Sequence, residues 1–153
     1  FRKMEELNET ECKKILKNEV RGVLSVIGDD GYPYGLPIDY WYDEIENRIY
    51  FHGAKEGHKL DAIKKCNKVS FCTYDKGYRK DVEWPLYINS VIVFGKISIV
   101  NDNEKIIEIC KNLCYKFTDD ENYVADELEK AGNRVCCLEL IPEHISGKLV
   151  KES

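Results

Sequence analysis

A chain of 153 residues that is 43% hydrophobic and 33% charged has the balance of one soluble globular domain, 1–153, with enough length to bury a core. A formal net charge of -5 and a pI of about 5.3 exclude a surface devoted to nucleic acid, so no nucleic acid partner is expected. No apolar run approaches the roughly 18 residues of a spanning helix, and residues 1–6 lack a signal peptide's apolar core, so the expectation is a cytoplasmic protein with no membrane partner.

Residues 8–17 read as a helix: Asn8 or Thr10 can cap it, Glu9 and Glu11 suit the first turn, and Leu7, Cys12, Ile15 and Leu16 recur at helical spacing. It is expected to lie on a sheet as a lid. Residues 20–27 carry Val23, Leu24, Val26 and Ile27, turn chemistry follows in Gly28, Asp29, Asp30 and Gly31, and residues 34–42 read as the second strand of a β-hairpin. Pro37 cannot donate to a ladder, which puts Pro37, Ile38, Asp39 and Tyr40 on an edge or at a bulge, with backbone groups left for a ligand.

A polar turn at 43–47 leads to a strand at 48–52, and a short helix follows at 59–66 with Leu60 and Ile63 inward. Between them Gly53, Ala54 and Gly57 leave room for close backbone approach, while Lys55, His58 and Lys59 bring positive charge to a helix start. Such a junction suits a single phosphate group; the alternative is a strand-to-helix connection with solvated lysines.

Residues 69–74 form a further strand, and 75–89, with Gly77 and Pro85, fit neither period and read as an active-site flap. Residues 90–100, rich in Val and Ile, are the strongest strand and should lie centrally, with Gly95 at a bulge or close contact. An apolar stripe from Ile106 to Phe117 makes 104–117 a helix capped within 101–103. A weaker helix at 122–130 is expected to end at Gly132, a strand at 134–141 to stop at Pro142, and another short strand to occupy 145–150. About seven strands without regular helical crossovers argue for a mainly β, mostly antiparallel barrel with flanking helices, an α+β fold.

Seven cysteines without a Cys-x-x-Cys pair read as reduced, mostly buried thiols rather than a metal site. No Ser-His-Asp or Cys-His pattern stands out for nucleophilic catalysis.

Five segments in order carry a resemblance: 21–26 (Arg21, Gly22, Val23, Leu24, Ser25, Val26); Asp30, Gly31, Tyr32 and Pro33 with 37–40 beyond; 50–61; 90–95; and Ile145, Ser146, Gly147 and Lys148. With them nearly the whole chain resembles the split-barrel flavin-binding proteins related to pyridoxamine 5'-phosphate oxidase, most closely the small nitroimidazole-resistance-type branch. The resemblance implies a split β-barrel of the FMN-binding type, with FMN at the interface of a homodimer. It implies that the backbone of Pro37, Ile38, Asp39 and Tyr40 lies along the isoalloxazine ring. The block of His52, Gly53, Ala54, Lys55, Gly57, His58 and Lys59 would hold the ribityl phosphate, favouring the phosphate reading of that junction. Ser90 matches a position that meets the cofactor from the facing strand; alternatively it is a strand-edge serine in water.

His52 matches a histidine of that branch near cofactor and substrate, so it is the candidate catalytic residue for proton transfer; its alternative is a strand-end histidine held by a backbone carbonyl. Trp84, Tyr87 and Trp41 can wall a substrate pocket or simply fill core or dimer interface. Two departures matter. The basic C-terminal segment with which the full oxidase recognises vitamin B6 phosphate is replaced by Val135, Cys136, Cys137, Leu138, Glu139 and Leu140, so vitamin B6 oxidation is not expected. His58 and Gly57 also stand where the oxidase has an arginine and a hydroxyl. The function implied is an FMN-dependent oxidoreductase reducing a small planar acceptor such as a nitroaromatic; the alternative is a flavin, haem or related-cofactor carrier or sensor without turnover.

Overall fold

The computed structural model describes residues 2–82, 84–131 and 134–152. In chain order these form β1 (Arg2–Glu6), α1 (Glu9–Asn18), β2 (Arg21–Ile27), β3 (Pro33–Asp39), β4 (Trp41–Asp43), β5 (Arg48–Ala54) and α2 (His58–Lys65). There follow β6 (Lys68–Tyr74), β7 (Leu86–Ile99), α3 (Asn103–Tyr115), α4 (Glu121–Ala131) and β8 (Val135–Glu152). The Gly132 expected to end the fourth helix lies outside the described residues.

Local chemistry accounts for most of these elements. Asn8 and Glu11 form a capping box at the start of α1, each side chain accepting from the other's backbone N–H. Asp102 caps α3 by accepting from the Glu104 N–H at 3.0 Å. In β2 the alternation is strict: Gly22, Leu24 and Val26 are buried, while Arg21, Val23 and Ile27 face out.

All strand pairs are antiparallel, in the order β3-β2-β6-β7-β8-β5-β4, with β1 added on β8. The sheet curls so that β3, at one end, comes back towards β5 near the other, enclosing Leu24, Val26, Ile38, Phe51, Phe71, Val91, Val93 and Leu138. Leu16 of α1 and Leu60 and Ile63 of α2 close that core. A second core lies under α3, where Ile109, Cys110 and Leu113 pack on Tyr50 and Cys137. This is the mostly antiparallel split barrel with flanking helices. Among the described residues no helix is long and apolar enough to cross a membrane.

The C-terminal strands differ from expectation. In place of a strand stopped by Pro142 and a second at 145–150, β8 is one strand of 18 residues. Pairing with β7 passes from Phe94↔His144 to Gly95↔Pro142, so Glu143 is an extra residue and Pro142 sits at a bulge. A proline that lacks an N–H is tolerated where the ladder is already interrupted. Gly95 is needed opposite it, because a Cβ there would lie 2.2 Å from the Ile141 carbonyl oxygen.

β1 was not expected. Arg2, Lys3, Met4, Glu5 and Glu6 show no apolar alternation, and their strand is held by the ladder to residues 148–152 of β8. The irregular stretch is also shorter: β7 begins at Leu86, and Tyr78 bridges Tyr87 across the loop, each N–H donating to the other's carbonyl. The expected strand 34–42 is divided at Tyr40 into β3 and β4. As expected, β3 is an edge strand and β7 lies inside the sheet with its irregularity at Gly95.

Candidate functional site

β5 delivers His52, Gly53 and Ala54 to the junction with α2, paired with Cys137, Cys136 and Val135 of β8. A Cβ on residue 53 would stand 2.8 Å from Lys59 Nζ, so Gly53 leaves room for the end of the Lys59 side chain to lie across the strand end. Lys59 is half-buried, and burial holds its ammonium below the ordinary lysine pKa. No described carboxylate makes an ion pair with it. A desolvated cation without a counter-ion is a demand for an anion.

Gly57, the N-cap of α2, adopts φ 142°, in the region L side chains rarely enter, and a Cβ there would meet nothing within 4 Å. No described side chain caps the helix. Its first N–H groups therefore remain available beside the Lys59 ammonium. Lys55 is exposed and lines a 320 Å³ hollow with Asn101, Val135 and Cys136.

His58 is turned elsewhere. Its ring stands edge-on to Tyr34 with centroids 4.7 Å apart, and Nδ1 lies 3.7 Å from Asp29 Oδ2 at the β2–β3 turn. Asp29 also takes Lys65 Nζ at 3.4 Å.

His52 is exposed to solvent on one side, yet enough protein surrounds the ring that desolvation holds its pKa below the ordinary value. The Asp39 carboxylate opposes that shift and the Lys59 ammonium adds to it, so His52, Asp39 and Lys59 share one electrostatic neighbourhood. Asp39 itself accepts from Arg21 Nε at 2.7 Å. Sequence reasoning gave Arg21 no role of its own, although the hairpin register that pairs Ile27 with Pro33 also pairs Arg21 with Asp39.

Along the rest of β3, Pro37 is exposed on the sheet edge and Ile38 is buried. Tyr40 belongs to the core: its hydroxyl donates to the Leu16 carbonyl at 2.6 Å, and its N–H to that of Val20 at 3.1 Å. Its ring meets Phe71 edge-on at 4.8 Å. Lys116 lies 4.0 Å over the same ring and donates to the Glu19 carbonyl at 2.6 Å. Burial brings its pKa down to about 8. Nothing in the local sequence marks Lys116, whose partners are Tyr40 and the end of α1.

Ser90 lies on β7, on the strand face turned away from the core, and pairs with Tyr74 and Lys148. Among the aromatics, Trp41 stacks on Tyr50 at 5.3 Å beside the second core, Tyr87 stacks on Tyr78 at 5.2 Å, and Trp84 is exposed. The 380 Å³ hollow on the outer sheet face, lined by Ser25, Ile27, Pro33, Ser70 and Phe94, is separate from the β5–α2 junction.

The sequence profile of the pyridoxamine 5'-phosphate oxidase family matches residues 8–149. The chain belongs to that family. No curated protein sequence matches it. Among solved structures, this family member is similar to a candidate 5-nitroimidazole antibiotic resistance protein from Bacteroides thetaiotaomicron, at 16% identity and a TM-score of 0.81, over 99% of this chain and 90% of the other. It is similar to a FAD-binding protein from Mesorhizobium loti at 18% identity and 0.72, over 99% and 100% of the two chains. A FAD-binding protein from Mycobacterium smegmatis matches at 21% and 0.62, over 96% and 98%. At these identities the likeness establishes the fold.

Proposed function

We propose that the chain is a flavoprotein that holds FMN by its phosphate at the β5–α2 junction and, as a homodimer, reduces a small planar acceptor such as a nitroaromatic. The observation that carries this reading is Lys59, a half-buried ammonium folded over Gly53 with no described carboxylate to neutralise it. An FMN phosphate carries up to about two negative charges, enough for a charge-assisted hydrogen bond from Lys59 and for the free N–H groups of α2. Family membership and two similar structures described as FAD-binding support a flavin there.

Bound flavin supplies the electron transfer. The chain binds and orients. The free edge of β3 at Pro37, Ile38 and Asp39 offers backbone groups to a planar ring, and His52, whose pKa burial holds down, is suited to exchange a proton beside it.

The homodimer is supported by an open apolar face. Val23, Cys72 and Ile92 stand in register across β2, β6 and β7, with Ser25, Ser70 and Phe94 in the next row out. Val23, Ile27, Tyr74, Ile92 and Phe94 are all exposed. Ser90 belongs to the same outward face, so a second copy docked there would enclose Ser90 with a flavin held between the two chains.

The test is spectroscopic. The purified yellow protein, bleached anaerobically by NAD(P)H or dithionite, is expected to recolour on addition of a nitroaromatic. Bleached flavin that stays bleached with nitro and quinone acceptors would replace the oxidoreductase by a carrier.

A further inference from the structure

All seven cysteines are free thiols, and the second core brings two of them together. Cys110 on α3 and Cys137 on β8 pack in one buried cluster with Tyr50, Ile109 and Leu113. Cys110 keeps 8% of its surface exposed and Cys137 none. The two thiols interact with each other where α3 packs on β8, and burial opposes ionisation of both. The pair is asymmetric in access: Cys110 is the thiol with an exposed edge.

The neighbours are differently placed. Cys114 lies one turn further along α3, where burial raises its pKa, and Cys136 turns its Sγ towards the Cys137 carbonyl at 4.0 Å. Cys12, Cys66 and Cys72 belong to other parts of the fold.

We propose that Cys110 and Cys137 are a peroxide-oxidisable pair that closes to a reversible disulfide, stapling α3 onto β8. The Cys110 thiolate attacks one oxygen of hydrogen peroxide, the O–O bond breaks, hydroxide leaves, and Cys110 carries a sulfenic acid. Cys137 then loses its proton and attacks the Cys110 sulfur; the S–O bond breaks and water leaves as the S–S bond forms. Two thiols give up two electrons and peroxide becomes two waters. The chemistry needs no flavin. Its consequence reaches the candidate site, because Cys137 is the register partner of His52.

The full chain is incubated with hydrogen peroxide, alkylated under denaturing conditions and digested without reductant. The expected result is loss of two of the seven thiols and one peptide pair joining Cys110 to Cys137, released by dithiothreitol. Cys114→Ser should keep the cross-link and Cys110→Ser abolish it. Oxidation should raise the unfolding temperature of the wild type and leave that of Cys110→Ser unchanged. Retention of all seven thiols, a cross-link through Cys114, Cys136 or another chain, or Cys110 over-oxidised beside an intact Cys137 thiol would overturn the proposal. The wild-type peptide map decides the matter even if Cys137→Ser does not fold.

Discussion

Lys59 is the side chain whose environment most narrows its role. If its ammonium meets a phosphate, Lys59→Ala should weaken FMN by about tenfold or more, the worth of one charge-assisted hydrogen bond, and leave riboflavin, which has no phosphate, nearly unchanged. Fluorescence titration with both ligands checks this, and equal losses would count against a phosphate at this junction. For His52, replacement by Gln should keep FMN affinity within about threefold and slow anaerobic acceptor reduction by ~10²-fold. It should also remove from the rate profile an inflection below 6.5, the side on which burial places this histidine. Wild-type rates at every pH would make His52 a structural residue. Lys116 gives a pH signature in stability. Its folded pKa of about 8 lies below the ordinary 10.5, so the unfolded chain binds more protons between those values, and this residue's contribution rises with pH from about 8 towards 10.5. Urea unfolding of wild type and Lys116→Met from pH 7.5 to 9.5 should show the difference in stability between the two growing in favour of the wild type as pH rises. The sequence disclosed Lys59 and the neighbouring Gly53 because they lie close along the chain. It did not disclose that His58 turns to Asp29, or that Lys116 reaches Tyr40, since those contacts depend on segments far apart in the chain.

The strands show the same division between local and distant causes. α1, the β2–β3 hairpin and α3 are marked by caps, turns and apolar periodicity within themselves, and the structure has them where that pattern puts them. β8 departs from its local pattern because Pro142 is a stop signal within the segment, whereas the bulge that accommodates it is formed with β7. β1 has no signal of its own and is held by pairing alone. The bulge can be tested apart from function. Gly95→Ala puts a Cβ against the Ile141 carbonyl, a backbone atom that cannot swing aside, and should destabilise the fold by about 1–3 kcal/mol. Chemical denaturation should show a lower midpoint at unchanged slope. A midpoint equal to wild type would mean that the two strands can part at the bulge without cost.

The single chain leaves an apolar sheet face in water, with Ser90 on the same face, and a second copy would cover it. Phe94→Glu, at an exposed position on that face, should give a folded monomer with weakened flavin binding, visible by light scattering and by loss of bound colour. Barrel class followed from the run of strands without helical crossovers, but a pairing surface is only half-written in one chain. Sedimentation velocity of the protein with FMN, followed at a wavelength that flavin alone absorbs, joins cofactor and assembly in one observation. The flavin signal should sediment with a species of twice the chain mass; flavin travelling with a monomer, or remaining free while the protein is folded, would contradict a flavin held between two copies.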